Sequence, residues 1–189
     1  MSVTNIMIVG VGGQGSLLAS KLLGNLLTDE GYDVKVSEVH GMSQRGGSVV
    51  TYVRYGEKVY SPIIDKGEAD FIVAFEKIEA ARYAPFLKEG GKIIVNTQEI
   101  EPMPVITGAA EYPSNALDEL SRLGIDVDQM DALDPATKAG SVKAVNIVLM
   151  GRLSKYMEID ENKWISAITK SVSHKFVEMN VKAFSLGRK

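Results

Sequence analysis

The 189-residue chain contains no cysteine. That absence excludes disulfides, thiolate nucleophiles, cysteine-ligated iron–sulfur clusters and cysteine zinc sites within it. Histidine is nearly as scarce. His40 and His174 are the two in the chain, they stand far apart, and they show no metal-ligand spacing, so no metal site is expected. An excess of one charge is also missing. Lys and Arg number 21 against 24 Asp and Glu, and the net −3 is spread without blocks, which gives no nucleic-acid or membrane surface. No apolar run approaches the roughly 20 residues of a membrane span. The opening NIMIVGVGGQG is broken by glycines and has no basic region, unlike a signal peptide, so a cytoplasmic protein is expected. Repeats, low-complexity tracts and clear linkers are absent too. With 45% hydrophobic and 24% charged residues the composition is that of a globular chain, and residues 1–189 read as one domain.

What is there begins with residues 5–11, a continuous apolar run that ends in glycine, as a buried parallel strand does. A glycine turn follows, then residues 16–30, whose Leu17, Leu18, Leu22 and Leu26 recur at helical spacing. Ser16 or Gln14 can cap the helix and Gly31 stops it. Gly10, Gly12 and Gly15 fit G-x-G-x-x-G, with Gly13 and Gln14 inside the motif. Gly10 would permit the tight turn, Gly12 a close ligand approach and Gly15 close helix–strand packing. Free N–H groups and the helix dipole make such a turn a candidate anion or nucleotide loop. The second strand, DVKVSE, ends at Glu38, where a dinucleotide-binding domain keeps its ribose-binding acid. The alternative is that the glycines only pack the turn against the sheet.

The next stretch is the least ordinary. Glu38, His40, Gly41, Met42, Ser43, Gln44, Arg45, Gly46, Gly47 and Ser48 bring an acid, an imidazole, an amide, a guanidinium, hydroxyls and three glycines into one loop. Glycines allow close backbone approach, so the long polar groups can converge on a ligand or partner. A dinucleotide fold would continue into a helix. Here SVVTYVRYGEKVYSP gives two alternating runs about Tyr55-Gly56-Glu57-Lys58, which predicts a β-hairpin that projects from the sheet or extends its edge.

Residues 69–76 and 92–97 read as further buried strands, with a helix from Glu76 between them that Pro85 shortens or kinks. Glu76 is equally a ligand group at a strand end or an acid in a first helical turn. PVIT at 104–107 is a possible short strand. Ser114 should cap a helix, and 126–132 is a weaker strand candidate. Helices are expected over 134–159, with a break at Ala139-Gly140, and over the remainder, where Asp160 is a good N-cap. Asn146, on an apolar helix, needs a hydrogen-bond partner if buried and is read as structural. The pattern predicts a Rossmann-like α/β fold: a doubly wound, mostly parallel sheet with a β-hairpin insertion and C-terminal helices. No P-loop, nucleophile elbow or metal constellation appears. His40 near Ser43 has nothing to fix a catalytic geometry, so no catalytic residue is assigned.

Taken together, GVGGQG, EVHGMSQRGGSVVTYVRYG, YSPII, GEADFIVAFEKIEAARY, GGKIIVNT, KAVNIVLMG and EMNVKAFSLG resemble the gamma-type subunit of the 2-oxoacid:ferredoxin oxidoreductases over nearly the whole chain. Within that family the NT-x-x-I-x-P stretch from Asn96 to Pro102 looks most like the indolepyruvate branch, with pyruvate and 2-oxoglutarate branches as alternatives. The resemblance implies oxidative decarboxylation of an aryl 2-oxoacid to an acyl-coenzyme A, with electrons passed to ferredoxin. It also implies thiamine diphosphate, Mg and 4Fe-4S clusters. This chain has no cysteine and no GDG…NN pattern, so those groups are expected on a larger, cysteine-rich partner, and the chain alone should be inactive. His40 to Gly47 would then form a surface for that partner or for coenzyme A. The competing class is a free-standing flavin- or NAD(P)-binding protein that uses the glycine loop.

Overall fold

The computed structural model describes residues 3–38 and 47–189. Strand β1 (Thr4–Val11) is buried on both faces, with Ile6 and Ile8 on one side and Met7 and Val9 on the other. Each fully buried side chain of this size stabilises by about 1.5–3 kcal/mol relative to exposure. The chain then runs through α1 (Ser16–Asp29), β2 (Asp33–Glu38), β3 (Ser48–Gly56), β4 (Ala69–Ala74), α2 (Lys77–Tyr83) and β5 (Leu87–Asn96). A single turn α3 (Met103–Ile106), α4 (Ala116–Arg122), β6 (Asp126–Met130), α5 (Leu133–Ala139), α6 (Val145–Leu153), α7 (Glu161–Ser171) and α8 (Val177–Arg188) complete it.

The sheet order is β2-β3-β1-β4-β5-β6. β1, β4, β5 and β6 are mutually parallel, while β3 is antiparallel to both its neighbours. Helices α1, α6, α7 and α8 cover the face that carries Ile6, Ile8, Val73 and Ile94. Helices α2 and α4 cover the opposite face, with Met7, Val9, Ile72 and Ile93. This is the doubly wound, mostly parallel architecture that the alternation of strand and helix patterns predicts.

The hairpin about Tyr55–Lys58 is not where the antiparallel pairing arises. β3 ends at Gly56, and no strand follows before Ala69. Instead β3 inserts between β1 and β2, and its Val49, Val50, Thr51 and Val53 are buried as interior-strand residues are. The segment after it is held as a loop. Asp33 accepts the Val59 N–H at 2.9 Å, and Arg54 donates to the carbonyls of Ser61 and Ile63 at 3.1 and 2.6 Å. Those bonds replace the ladder that a second hairpin strand would have made.

Smaller expectations also shift. PVIT is not a strand: its first three residues lie in the turn α3 and Thr107 ends it, with Pro102 at the N-cap and Pro104 in the first turn, as suits a helix start. The N-cap of α4 is Asn115 rather than Ser114. Pro85 ends α2 in a 3₁₀ turn at Ala84–Phe86, and Asp160 caps α7 by accepting the Asn162 N–H at 2.8 Å. Helices α6 and α8 cross backbone to backbone. A Cβ at Gly187 would lie 2.0 Å from the Val148 carbonyl oxygen, and one at Gly151 would lie 2.2 Å from that of Phe184. Trp164 of α7 stacks on Phe184 at 5.6 Å between ring centroids and closes this end of the core.

Candidate functional site

The turn between β1 and α1 shows what each glycine is for. A Cβ at Gly10 would meet Gln14 Oε1 at 2.8 Å and Phe75 Cβ at 3.0 Å, so this position must be bare. Gly15, with φ of 87°, is itself the N-cap of α1, and no side chain caps the helix. Neither Ser16 nor Gln14 takes that role. Gln14 turns back instead: its Oε1 accepts the Val11 N–H at 2.7 Å, and its Nε2 donates to the Phe75 carbonyl at 3.1 Å and to Gln98 Oε1 at 3.3 Å. Asn96, fully buried at the end of β5, donates to the same carbonyl at 3.2 Å and to the same Gln98 oxygen at 3.3 Å. Its Oδ1 accepts the Ala132 N–H at 3.0 Å. Three amides thus cluster about the Phe75 carbonyl, just past the carboxyl end of β4 and beside the crevice where a doubly wound sheet ordinarily takes its ligand.

The open space lies on the other side of β1. A cleft of about 290 Å³ runs between Gly12, Gly13 and Gly15, the first turn of α1 at Ser16 and Leu17, the β3 residues Val49 and Thr51, and Glu38 at the end of β2. That volume is at the lower limit of small-molecule sites. The N–H groups of Ser16 and Leu17 have no acceptor within the helix, and the dipole makes this wall attractive to an anion. Across from it, Glu38 accepts the Ser20 hydroxyl. Because β3 separates β1 from β2, Glu38 stands two strand spacings from β1, about 10 Å. In a dinucleotide-binding domain the acid-bearing strand is the immediate neighbour.

The sequence-predicted residues divide accordingly. Gly10, Gly12, Gly13, Gly15 and Glu38 come together around one turn, Gln14 is drawn into the amide cluster, and Gly47 joins them through its carbonyl, which accepts the Gly12 N–H at 2.9 Å. Both ends of the polar loop, Glu38 and Gly47, therefore flank the glycine turn. His40, Gly41, Met42, Ser43, Gln44, Arg45 and Gly46 lie outside the described residues.

Glu76 resolves to a structural acid. As the N-cap of α2 it accepts the Glu79 N–H at 3.0 Å, the Ile100 N–H at 3.2 Å and the Tyr112 hydroxyl. Burial and then the bond to Glu76 push the Tyr112 hydroxyl well above the usual tyrosine range. Sequence reading missed Glu79, which is buried and holds the Ser48 hydroxyl and Arg82 Nε, the latter at 3.0 Å. The available signal was the pair of acids three residues apart at a helix start, the spacing of a capping box. Among the described residues no cluster of three His, Cys, Asp or Glu side chains could hold a metal, and no helix is long and apolar enough to cross a membrane.

Comparison with known proteins agrees with this architecture. The chain is 44% identical over 192 residues to the indolepyruvate oxidoreductase subunit IorB of Thermococcus kodakarensis, which covers 98% of this chain and 94% of that subunit. It is 25% identical to the pyruvate/ketoisovalerate oxidoreductases common subunit gamma of Pyrococcus abyssi, over 92% of this chain and 89% of the other. The keto/oxoacid ferredoxin oxidoreductase gamma subunit of Geobacter sulfurreducens has the same fold, with a TM-score of 0.71 at 23% identity, over 97% of this chain and 95% of that one. The pyruvate ferredoxin/flavodoxin oxidoreductase family model matches residues 5–189, and the chain belongs to that family.

Proposed function

We propose that the chain is the smaller subunit of an indolepyruvate-type 2-oxoacid:ferredoxin oxidoreductase, cytoplasmic and inactive on its own. The observation that carries this reading is the 44% identity, over nearly the full length, to subunit IorB, against 25% to a pyruvate/ketoisovalerate gamma subunit. The reaction is oxidative decarboxylation of an aryl 2-oxoacid to an acyl-coenzyme A, with ferredoxin as electron acceptor. The 4Fe-4S clusters belong to a larger, cysteine-rich partner, since this chain offers no thiolate, and so does thiamine diphosphate with Mg, which supplies the carbanion-stabilising centre, since the chain has no GDG…NN pattern.

In this reading the chain contributes a surface rather than a reaction centre. The glycine turn from Gly10 to Gly15 and the stretch from Glu38 to Gly47 face the partner and the path of coenzyme A. Arg45 pairs with a phosphate or a partner carboxylate, and His40 and Gln44 hydrogen-bond across the seam. Two features support that orientation. The Gly12 N–H bonds the Gly47 carbonyl, so the glycine turn meets the end of the polar loop. Exposed Leu17, Met103, Ile106 and Leu133 all lie on connections that leave the carboxyl ends of β1, β5 and β6, which puts apolar side chains at that same end. For Arg45→Ala the expected result is impaired assembly or a raised Michaelis constant for coenzyme A. Normal assembly with normal constants removes Arg45 from the account. The rival reading, a flavin or NAD(P) protein, is disfavoured by the distance of Glu38 from β1, with β3 between them. It would be restored by a purified chain with a flavin spectrum.

A further inference from the structure

A second cavity, of about 560 Å³, opens on the opposite side of the first turn of α1, where Leu17 borders the glycine cleft and Leu18 the cavity. It exists because two tight connections meet there. The 3₁₀ turn Val142–Ala144 precedes α6, and the extended Val172–Ser173 link with the 3₁₀ turn His174–Phe176 joins α7 to α8.

The lining has a definite chemistry. Leu18, Val172, Phe176 and Met179 supply apolar wall, an aromatic ring and an adaptable thioether among them. Asn180 of α8 is 5% exposed; its Nδ2 donates to the Phe176 carbonyl at 2.8 Å, and among the described residues nothing donates to its Oδ1. Asn180 lines the cavity, and its Oδ1 is an acceptor position for a donor carried by whatever enters the space. Lys143 stands exposed at the rim, no carboxylate lines the cavity, and the Lys175 ammonium lies 4.8 Å from the Phe176 ring centroid at the mouth. The volume is that of a small-molecule site, with apolar walls and a few convergent polar groups.

We propose that this cavity binds a small aromatic or branched carboxylate that also carries an O–H or N–H donor. The hydrocarbon lies against Leu18, Val172, Met179 and Phe176, the carboxylate faces Lys143, and the donor meets Asn180 Oδ1. The proposal stands apart from the assembly reading, because it concerns the full chain on its own.

The test is an NMR titration of the isotope-labelled full chain with three probes: 4-hydroxyphenylacetate, phenylacetate and 4-hydroxyphenylacetamide. The first should bind tightest, with shifts at Leu18, Lys143 and Asn180, and loss of either the hydroxyl or the charge should weaken binding roughly threefold to tenfold. Lys143→Gln should abolish the difference between acid and amide while it keeps the difference made by the hydroxyl. Ser173→Trp, at an exposed position on the cavity lining, should block all three probes in a chain whose circular dichroism is unchanged. The proposal is overturned if no probe saturates, if acid and amide bind alike to the unaltered chain, or if a folded Ser173→Trp binds as the parent does.

Discussion

At Gly15 two requirements coincide: a φ of 87°, and an Asn146 side chain whose Nδ2 would lie 2.6 Å from an added Cβ. At Gly13 only the first applies, with φ of 97° and nothing within 4 Å of an added Cβ. Gly13→Ala should therefore cost about 1–2 kcal/mol, the strain of a left-handed residue. Gly15→Ala should cost about 1–3 kcal/mol more for the forced overlap. Removing the Asn146 side chain in the same chain should recover part of that increment, as measured by urea midpoints. The sequence placed Gly10, Gly12 and Gly15 in a strand-to-helix turn, and it marked Asn146 as a structural amide, which its bond to the Gly15 carbonyl at 3.1 Å bears out. It could not reveal the direction of Gln14, because the partners of that side chain sit at residues 75 and 98 and no local spacing encodes them. The same distance hid the amide cluster. Asn96→Ala leaves the Ala132 N–H without its acceptor and should lower stability by about 1–3 kcal/mol in chemical denaturation.

At the level of elements, the α6–α8 crossing depends on two glycines, and β6 is tied to α6 by one acid. Gly151→Ala and Gly187→Ala each drive a methyl group into the opposing backbone, which cannot yield as a side chain can. Each should cost about 3 kcal/mol, read as a lower melting temperature. Asp128 of β6 receives both Arg152 Nε and a terminal guanidinium nitrogen at 2.7 Å, and the Tyr156 hydroxyl at 2.6 Å. Burial alone would raise the Asp128 pKa, but the bonds from Arg152 and Tyr156 outweigh it and hold the group below 3.8. Its contribution is thus present above pH 3.8 and lost as pH falls through the lower folded value. Burial, then the bond to Asp128, pushes Tyr156 from 10.0 up to about 12. That contribution is complete below pH 10 and lost as pH rises through about 12. Tyr156→Phe should flatten the alkaline limb of a stability–pH curve in that window and leave the neutral region shifted but parallel. Element types were largely legible from apolar periodicity. The pairing of β3 was not, because an alternating run does not say which neighbour it joins, and the interior site between β1 and β2 is a property of topology.

For the whole molecule, the cleft, both ends of the polar loop and several exposed apolar side chains fall at the carboxyl end of the parallel strands. The chain supplies no thiolate for a cluster, and its own amides from Gln14 and Asn96 both bond the Phe75 carbonyl past the end of β4. The most direct measurement is reconstitution of the purified chain with the larger, cysteine-rich subunit proposed as its partner, assayed for coenzyme A-dependent reduction of ferredoxin by indolepyruvate, phenylpyruvate, pyruvate and 2-oxoglutarate. No turnover is expected from either chain alone, and turnover of the complex is expected to prefer the aryl 2-oxoacids. Turnover by this chain alone, or a complex whose activity is the same with and without it, would contradict the account.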